Sequence, residues 1–188
     1  MPVRFQHDQN QNSFYFVTFT CYKWLQVFEI ANAYNSVYKW FDHLHKNNIY
    51  VTGYVIMPNH VHVLLYFHQM PKSLNTIIGN AKRFIAYEII KRLKETNQTA
   101  ILEQLQSAVT EKEKQKGQLH KVFEESFDAK SIDNRKFFLQ KLNYIHLNPV
   151  RGNYKLVNDW RQYEHSSAGF YELQQTKHFI PVHFEELK

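Results

Sequence analysis

The chain has few of the features that mark secreted or membrane-spanning proteins. It contains one cysteine in 188 residues, Cys21, so no disulfide framework can form within it, as is typical of proteins kept in a reducing cytosol. No apolar run reaches the roughly 18 residues that a membrane-spanning helix needs. The polar N-terminal segment also lacks the apolar stretch of a signal peptide. We therefore expect a cytoplasmic protein with no membrane partner.

Positive charge and aromatic side chains are what the chain has in excess. Its 23 Lys and Arg residues outnumber 17 Asp and Glu, which gives a net charge of +6. A basic surface favours polyanions such as nucleic acid or acidic membrane. Aromatic residues make up 16% of the chain. Most are needed for a core, and some can serve as stacking surfaces for unpaired bases.

Hydrophobic periodicity predicts alternating strands and helices. Runs rich in β-branched and aromatic residues predict strands at 14–20, 49–57, 61–67 and, with weaker alternation, within 122–129. Helical spacing predicts helices at 29–46, at 73–93 with Ser73 as N-cap, and from an N-cap at Asp133 to near Asn148, before Pro149. The polar segment 95–118 is expected to be a solvated helix or loop.

This order of elements is that of a split βαβ unit, which predicts an α+β, ferredoxin-like sandwich. Right-handed crossovers would place the first and third strands at the centre of an antiparallel sheet. Two helices would cover one sheet face, and a third, C-terminal helix would present Tyr144 on the other. We expect one domain over 1–188, with a core of about 13–150 and a tail over 151–188 that either wraps the domain or contacts DNA.

His60 and His62 flank Val61 on the third predicted strand. Alternate strand residues point to the same face, roughly 6–7 Å apart, so two imidazoles can bind one divalent cation. Tyr144 and Asn148 stand four residues apart in a helical pattern, which puts both on one helix face. A bound cation polarises a phosphate, and a tyrosine can attack it if positive charge or a base helps the phenol lose its proton.

Each of these residues has a more ordinary explanation when it is taken alone. Alternating histidines often form only the polar face of a strand. Tyr144 could be a core aromatic of its helix, and Asn148 could simply end that helix. The joint pattern is what favours tyrosine-mediated cleavage of nucleic acid.

Three segments resemble a known family. The segment MPNHVHVLL at 57–65 looks like the signature of the single-tyrosine HUH transposases, and NYIHLNPVR at 143–151 resembles their tyrosine helix. The segment WRQYEHSSA at 160–168 is similar to the tail of the REP-associated branch. The resemblance implies a transposase that binds hairpins or palindromes in single-stranded DNA. Such an enzyme cleaves and rejoins the strand through a 5′-phosphotyrosine intermediate, with Mg²⁺ or Mn²⁺ as cofactor.

The resemblance also assigns roles residue by residue. It implies that His60 and His62 are metal ligands and that Tyr144 is the nucleophile. Asn148 matches the third ligand, where related insertion-sequence enzymes often have the longer Gln. Relatives act as monomers or as homodimers that exchange tyrosine helices, and both arrangements stay open here. Basic residues expected to contact DNA phosphates are Lys82, Arg83 and Arg151.

Two other functions fit part of the pattern. A domesticated relative could bind single-stranded nucleic acid by stacking and no longer cleave it. An unrelated metal-dependent hydrolase could use water as the nucleophile, in which case Tyr144 would be dispensable. The joint presence of His60, His62, Tyr144 and Asn148 argues against the first, and a covalent product would exclude the second.

Overall fold

The computed structural model describes residues 12–69, 72–151 and 155–187. Its strands are β1 Ser13–Thr20, β2 Ile49–Met57, β3 His60–Phe67 and β4 Asp128–Ile132. Its α-helices are α1 Val27–Ile30, α2 Tyr34–Lys46, α3 Leu74–Glu95, α4 Thr99–Ser107, α5 Glu111–Gln115, α6 Arg135–His146 and α7 Ala168–Leu173. Single 3₁₀ turns lie at Tyr22–Trp24, Asn148–Val150, Trp160–Gln162 and Phe184–Glu186.

The strands form one antiparallel sheet in the order β2-β3-β1-β4. The first and third strands are therefore central, which confirms the predicted α+β, ferredoxin-like arrangement. Pro58 and Asn59 make the tight turn that joins β2 to β3. This turn matters for the site, because it delivers His60 and His62 to the beginning of a central strand.

The first sheet face, here called the α2–α3 face, carries the larger core. Every second residue of β3 from Val61 to Phe67 points into this core and is fully buried. Phe41 of α2 and Ile78 of α3 pack against them from the helix side. Each such side chain stabilises the fold by roughly 1.5–3 kcal/mol through burial. Most of the stability of the domain is therefore expected to come from this face.

The opposite face, here called the α6 face, is covered by α6. Its core contains Phe16, Leu64, Phe138, Leu142 and Ile145. A Cβ atom added at Gly53 of β2 would lie 2.7 Å from Leu142 Cδ1, so a larger residue there would force the Leu142 side chain of α6 to shift. As predicted, the C-terminal helix lies on the face opposite the two main helices and carries Tyr144 with it.

Two predicted elements were placed wrongly. The helix expected over 29–46 is broken, because Asn32 adopts a left-handed conformation with φ of 46°, and α1 ends before it. The fourth strand lies at Asp128–Ile132, whereas Phe123 forms only an isolated bridge with Cys21. Charged side chains on this edge strand weaken the alternation that would have marked it.

The start of α6 also differs by one residue from the prediction. The N-cap is Asn134, whose side chain accepts a hydrogen bond from the Phe137 backbone N–H at 2.9 Å. Asp133 instead accepts a hydrogen bond from the Ser131 hydroxyl. The helix ends at His146, and the 3₁₀ turn that follows begins at Asn148.

The polar segment 95–118 contains α4 and α5 and is largely exposed, as predicted, although Leu105 is fully buried in the core. The described part of the tail wraps the domain along β2. Ser166 forms a bridge with Val55, and the Tyr163 hydroxyl donates to the Ile56 carbonyl at 3.0 Å. Within the described ranges, every helix is too short or too polar to cross a lipid bilayer.

Candidate active site

The two histidines of β3 lie side by side on the α6 face. His60 is 8% exposed and His62 is 6% exposed. Their ring centroids are 4.6 Å apart, with the ring planes inclined by 76°. Nitrogen-to-metal distances are about 2.1 Å for imidazole, so one ion can bind both rings at this separation.

Asn59 fixes the orientation of the His60 ring. Its amide nitrogen donates to the Trp24 carbonyl at 3.4 Å, so its amide oxygen faces His60 Nδ1 at 2.7 Å. An amide oxygen only accepts hydrogen bonds, so His60 Nδ1 carries the hydrogen in this contact and the lone pair of the neutral ring lies on Nε2. The residue before the strand thus selects the tautomer that can bind a metal.

Thr18 fixes the orientation of the His62 ring. The β1–β3 register places Thr18 directly opposite His62, and its Oγ1 lies 2.6 Å from His62 Nδ1. Phe16 stacks on the same imidazole with a centroid distance of 5.4 Å. With Nδ1 engaged, Nε2 is the nitrogen of His62 that remains available to an ion.

Burial keeps both imidazoles neutral. It lowers the pKa of His60 to about 4, and a hydrogen bond with Asn148 opposes this shift. Burial also lowers the pKa of His62 well below its usual range, helped by the neighbouring His60 and by the charge of Lys141. Neutral imidazole is the form that binds metal ions, so the pair is ready to bind one at neutral pH.

Tyr144 of α6 completes the cluster. Its ring lies 5.3 Å from the His62 ring and 6.1 Å from that of Phe16, and its side chain is 41% exposed. Asn148 follows on the 3₁₀ turn, where it hydrogen-bonds with His60 and donates to the Tyr144 carbonyl at 3.4 Å. The structure therefore brings together all four residues predicted to act in one site.

Lys141 is a further member of this cluster that the sequence did not single out. It precedes Tyr144 by one helical turn, and its Nζ lies 4.8 Å from the Phe16 ring centroid and 5.7 Å from that of Tyr144. Burial lowers the pKa of Lys141, and the nearby Lys130 contributes. A lysine three residues before the tyrosine was the signal that could have identified it.

The three residues predicted to contact DNA have very different surroundings. Lys82 is only 4% exposed, and its ammonium donates to the carbonyls of residues 124, 125 and 126 at 2.5, 3.0 and 3.3 Å. A phosphate contact by Lys82 does not fit this arrangement. Arg83 is exposed on α3, which packs on the α2–α3 face. Arg151 is exposed and follows the turn that holds Asn148.

A cavity of about 200 Å³ lies next to Thr18 and Trp24, which contact His62 and His60 respectively. It is lined by Thr18, Thr20, Trp24, Glu124, Ser126, Phe127 and Asp128. A larger cavity of about 490 Å³ lies between α2 and α3, and its lining includes neither of the two histidines nor Tyr144. The larger of these two cavities is therefore not the location of the candidate active site.

The residues of the cluster fit a divalent cation. In the described part of the chain no group of three or more His, Cys, Asp or Glu could hold a metal ion. An amide oxygen is nevertheless a common third donor, and Asn148 stands next to His60. Two imidazole nitrogens and one amide oxygen would leave positions on an octahedral ion for phosphate oxygens and water.

Comparison with known proteins supports the fold. No protein-family model matches the chain, and no curated protein matches its sequence. A structure of a REP-associated tyrosine transposase bound to a REP hairpin matches with a TM-score of 0.59 and 13% identity, over 88% of this chain and 82% of that one.

A second structure, from Deinococcus radiodurans R1, belongs to a protein assigned provisionally as a transposase. It shares 17% identity over 74% of this chain and 94% of that one, and its TM-score of 0.38 is too low to carry an argument. The first match shows similarity of fold alone. The chain thus shares its α+β fold with that structure, as expected from the predicted order of its elements.

Proposed function

We propose that this chain is a single-tyrosine HUH transposase of the REP-associated kind. It would bind hairpin-containing single-stranded DNA, cleave it and rejoin it. The observation that carries the proposal is the Tyr144 ring, 5.3 Å from the ring of His62, beside two neutral imidazoles. The fold shared with a transposase supports it.

The residues of the cluster would have separate roles in metal binding and in nucleophilic attack. His60, His62 and Asn148 would hold Mg²⁺ or Mn²⁺, which when bound supplies Lewis-acid polarisation of the scissile phosphate. The phenol oxygen of Tyr144 attacks phosphorus, so an O–P bond forms to Tyr144 and the bond from phosphorus to the 3′ oxygen breaks. The phenol loses its proton, and the departing 3′ oxygen gains one to become a free hydroxyl. Attack by a 3′ hydroxyl on the phosphotyrosine reverses these steps and rejoins a strand.

Lys141 would favour this attack by electrostatics. Its ammonium lies 5.7 Å from the Tyr144 ring, near enough to stabilise the negative charge that develops on the phenol oxygen. Aromatic rings of Phe16 and Phe137 flank the ammonium at 4.8 and 5.3 Å and limit its contact with water. A charge that is partly shielded from water acts more strongly on its neighbours.

The proposed site is complete within one chain. Tyr144 reaches the histidines of its own β3, so we propose that the protein cleaves as a monomer or as a dimer without exchange of helices. Arg151 stands at the edge of the site and would contact a DNA phosphate there. The proposed place of action is the cytoplasm, on single-stranded DNA.

Covalent trapping tests the proposal. A hairpin-bearing single strand labelled on the 3′ side of the cut is incubated with Mn²⁺ and analysed on a denaturing gel. We expect a protein–DNA adduct that Tyr144→Phe abolishes. Tyr87→Phe is the matched control, because Tyr87 is 65% exposed on α3 and should not change adduct formation.

Three outcomes would contradict the proposal in distinguishable ways. An adduct that persists in Tyr144→Phe would refute the nucleophile. Cleavage without an adduct would indicate attack by water and hence a hydrolase. Hairpin binding with no cleavage across several divalent metals would indicate a binding module.

A further inference from the structure

Trp24 stands out at the surface beside the proposed site. Its side chain is 61% exposed, whereas most large aromatic residues of the chain are buried. The ring lies 5.5 Å from the His60 ring and is inclined to it by 73°. An exposed tryptophan contributes little to a core, and a flat aromatic face is what unpaired bases stack on.

The turn that carries Trp24 is held in a strained conformation. Lys23 and Trp24 have φ of 48° and 59°, in the left-handed region that residues other than glycine rarely adopt. Each such residue costs on the order of 1 kcal/mol and persists only where neighbours fix it. Here the Lys23 N–H donates to Glu124 Oε1 at 2.8 Å, and the Trp24 N–H donates to the Cys21 carbonyl at 3.0 Å.

Asn59 links this turn to the metal-binding histidine. One amide group donates to the Trp24 carbonyl and accepts from His60 Nδ1. The position of the tryptophan is thereby tied to that of the proposed ligand. A strained turn fixed against the site is more consistent with a binding surface than with an incidental exposed side chain.

The cavity beside Trp24 has the chemistry of a base pocket. Its volume of about 200 Å³ corresponds to roughly seven water molecules, which suits one heterocyclic base better than a whole nucleotide. The β1–β4 register places Asp128 opposite Thr18, which itself contacts His62. Carboxylates in the lining repel phosphate but accept hydrogen bonds from base amino groups.

We propose that Trp24 stacks on one unpaired base adjacent to the scissile phosphate, and that Asp128 in the neighbouring cavity accepts a hydrogen bond from that base. This inference rests on the proposed function, since it names the part of the single strand that the site would hold. The base is one with an exocyclic amino group, which adenine, cytosine and guanine carry and thymine lacks.

A binding experiment without metal tests the stacking contact separately from catalysis. Fluorescence anisotropy measures binding of a labelled hairpin with a single-stranded flank, in which each flanking nucleotide in turn is replaced by an abasic site. We expect one position near the cut where base loss weakens binding to the unaltered protein roughly tenfold or more. Trp24→Ala should lose this sensitivity, and Trp24→Tyr should restore most of it.

Two further variants sharpen the test. Tyr87→Ala, on the other face of the molecule, should keep the full sensitivity to the abasic site. Asp128→Asn should reduce the preference for an amino-bearing base over thymine at the same position. Circular dichroism and thermal melting of each variant check that the fold is retained.

The results that overturn the inference differ from those that overturn the proposed function. If the loss of binding at each abasic position were the same for Trp24→Ala and the unaltered protein, the stacking contact would be refuted, even if the Tyr144 adduct forms. Equal binding of thymine and the other bases would refute recognition by Asp128. Absence of any hairpin binding would refute both the inference and the proposed function.

Discussion

The two faces of the sheet are covered differently, and the candidate active site lies on the α6 face. On the α2–α3 face, two helices of 13 and 22 residues cover the apolar side of β3 completely. On the α6 face, one helix of 12 residues and part of the C-terminal tail cover the other side, with Tyr144 partly exposed near the end of the helix. A shorter cover leaves an edge where polar side chains meet solvent, and the candidate site lies at that edge.

The comparison also shows how buried polar groups are tolerated. Each imidazole of β3 is nearly as buried as the valines and leucines that alternate with it. Unpaired polar groups at this depth would be costly. Asn59 and Thr18 each satisfy Nδ1 of one ring, and Asn148 also hydrogen-bonds with His60. The α2–α3 face is packed with apolar side chains, whereas the α6 face combines apolar packing with the two imidazoles and the amide of Asn148.

The largest effect on function is expected at the paired histidines. His60→Ala and His62→Ala should each lower the rate of adduct formation by about a hundredfold or more, because they remove proposed metal ligands. The exposed His43 of α2 provides the control, and His43→Ala should leave the rate unchanged. Denaturing gels at saturating Mn²⁺ measure these rates. If the rates of the two histidine variants stayed within threefold of that of the unaltered protein, His60 and His62 would not be metal ligands in the reaction.

The largest effect on stability is expected on the other face. Phe41 is fully buried under β3, so Phe41→Ala should lower the free energy of unfolding by about 3–5 kcal/mol. Tyr144→Ala should lower it by about 1 kcal/mol or less, since Tyr144 is 41% exposed. Urea unfolding followed by circular dichroism measures both. Similar losses in the two variants would contradict the division of roles between the faces.

An intermediate effect on rate is expected at Lys141. Lys141→Met should slow adduct formation about 10- to 100-fold, because the charge next to Tyr144 is lost while its aliphatic packing is kept. Lys141→Arg should retain much of the rate of adduct formation. This comparison distinguishes the effect of the positive charge from that of the side-chain shape. Lys91→Met, on the exposed side of α3, is the matched control. A rate insensitive to Lys141→Met would leave the phenol without an identified activating group.

The smallest expected effect concerns the start of α6. Asn134→Ala should lower the free energy of unfolding by about 1 kcal/mol, because its side chain caps the Phe137 N–H. Asp133→Ala should have a smaller effect, since Asp133 contacts only the Ser131 hydroxyl in this turn. Urea unfolding of both variants makes the comparison. A larger loss for Asp133→Ala would restore the original assignment of the cap.

Much of the fold could be predicted because its central strands alternate cleanly. The runs in β1, β2 and β3 gave those strands to within one residue, and the order of elements gave the sheet. The histidine pair was visible for the same reason, since period-two spacing puts both rings on one face. The split βαβ order assigns two helices to one face of the sheet. The third helix, which carries Tyr144, was therefore expected on the other face.

The errors arose where tertiary contacts decide the outcome. Lys82 was expected to contact a DNA phosphate, but its ammonium donates to three carbonyls of a loop distant in sequence. The break at Asn32 depends on one left-handed residue that no strong local signal announces. Trp24 and Lys141 reach the site through a turn and a helix that only the folded chain brings together.

The central claim is that a phenol from α6 meets the paired imidazoles of its own chain. Mixing two inactive variants, His62→Ala and Tyr144→Phe, tests it most directly, with covalent adduct as the readout. Because the Tyr144 ring lies 5.3 Å from the His62 ring of the same chain, the mixture should form no more adduct than either variant alone. Recovery of adduct in the mixture would show that the tyrosine serves a neighbouring subunit, and would contradict this account.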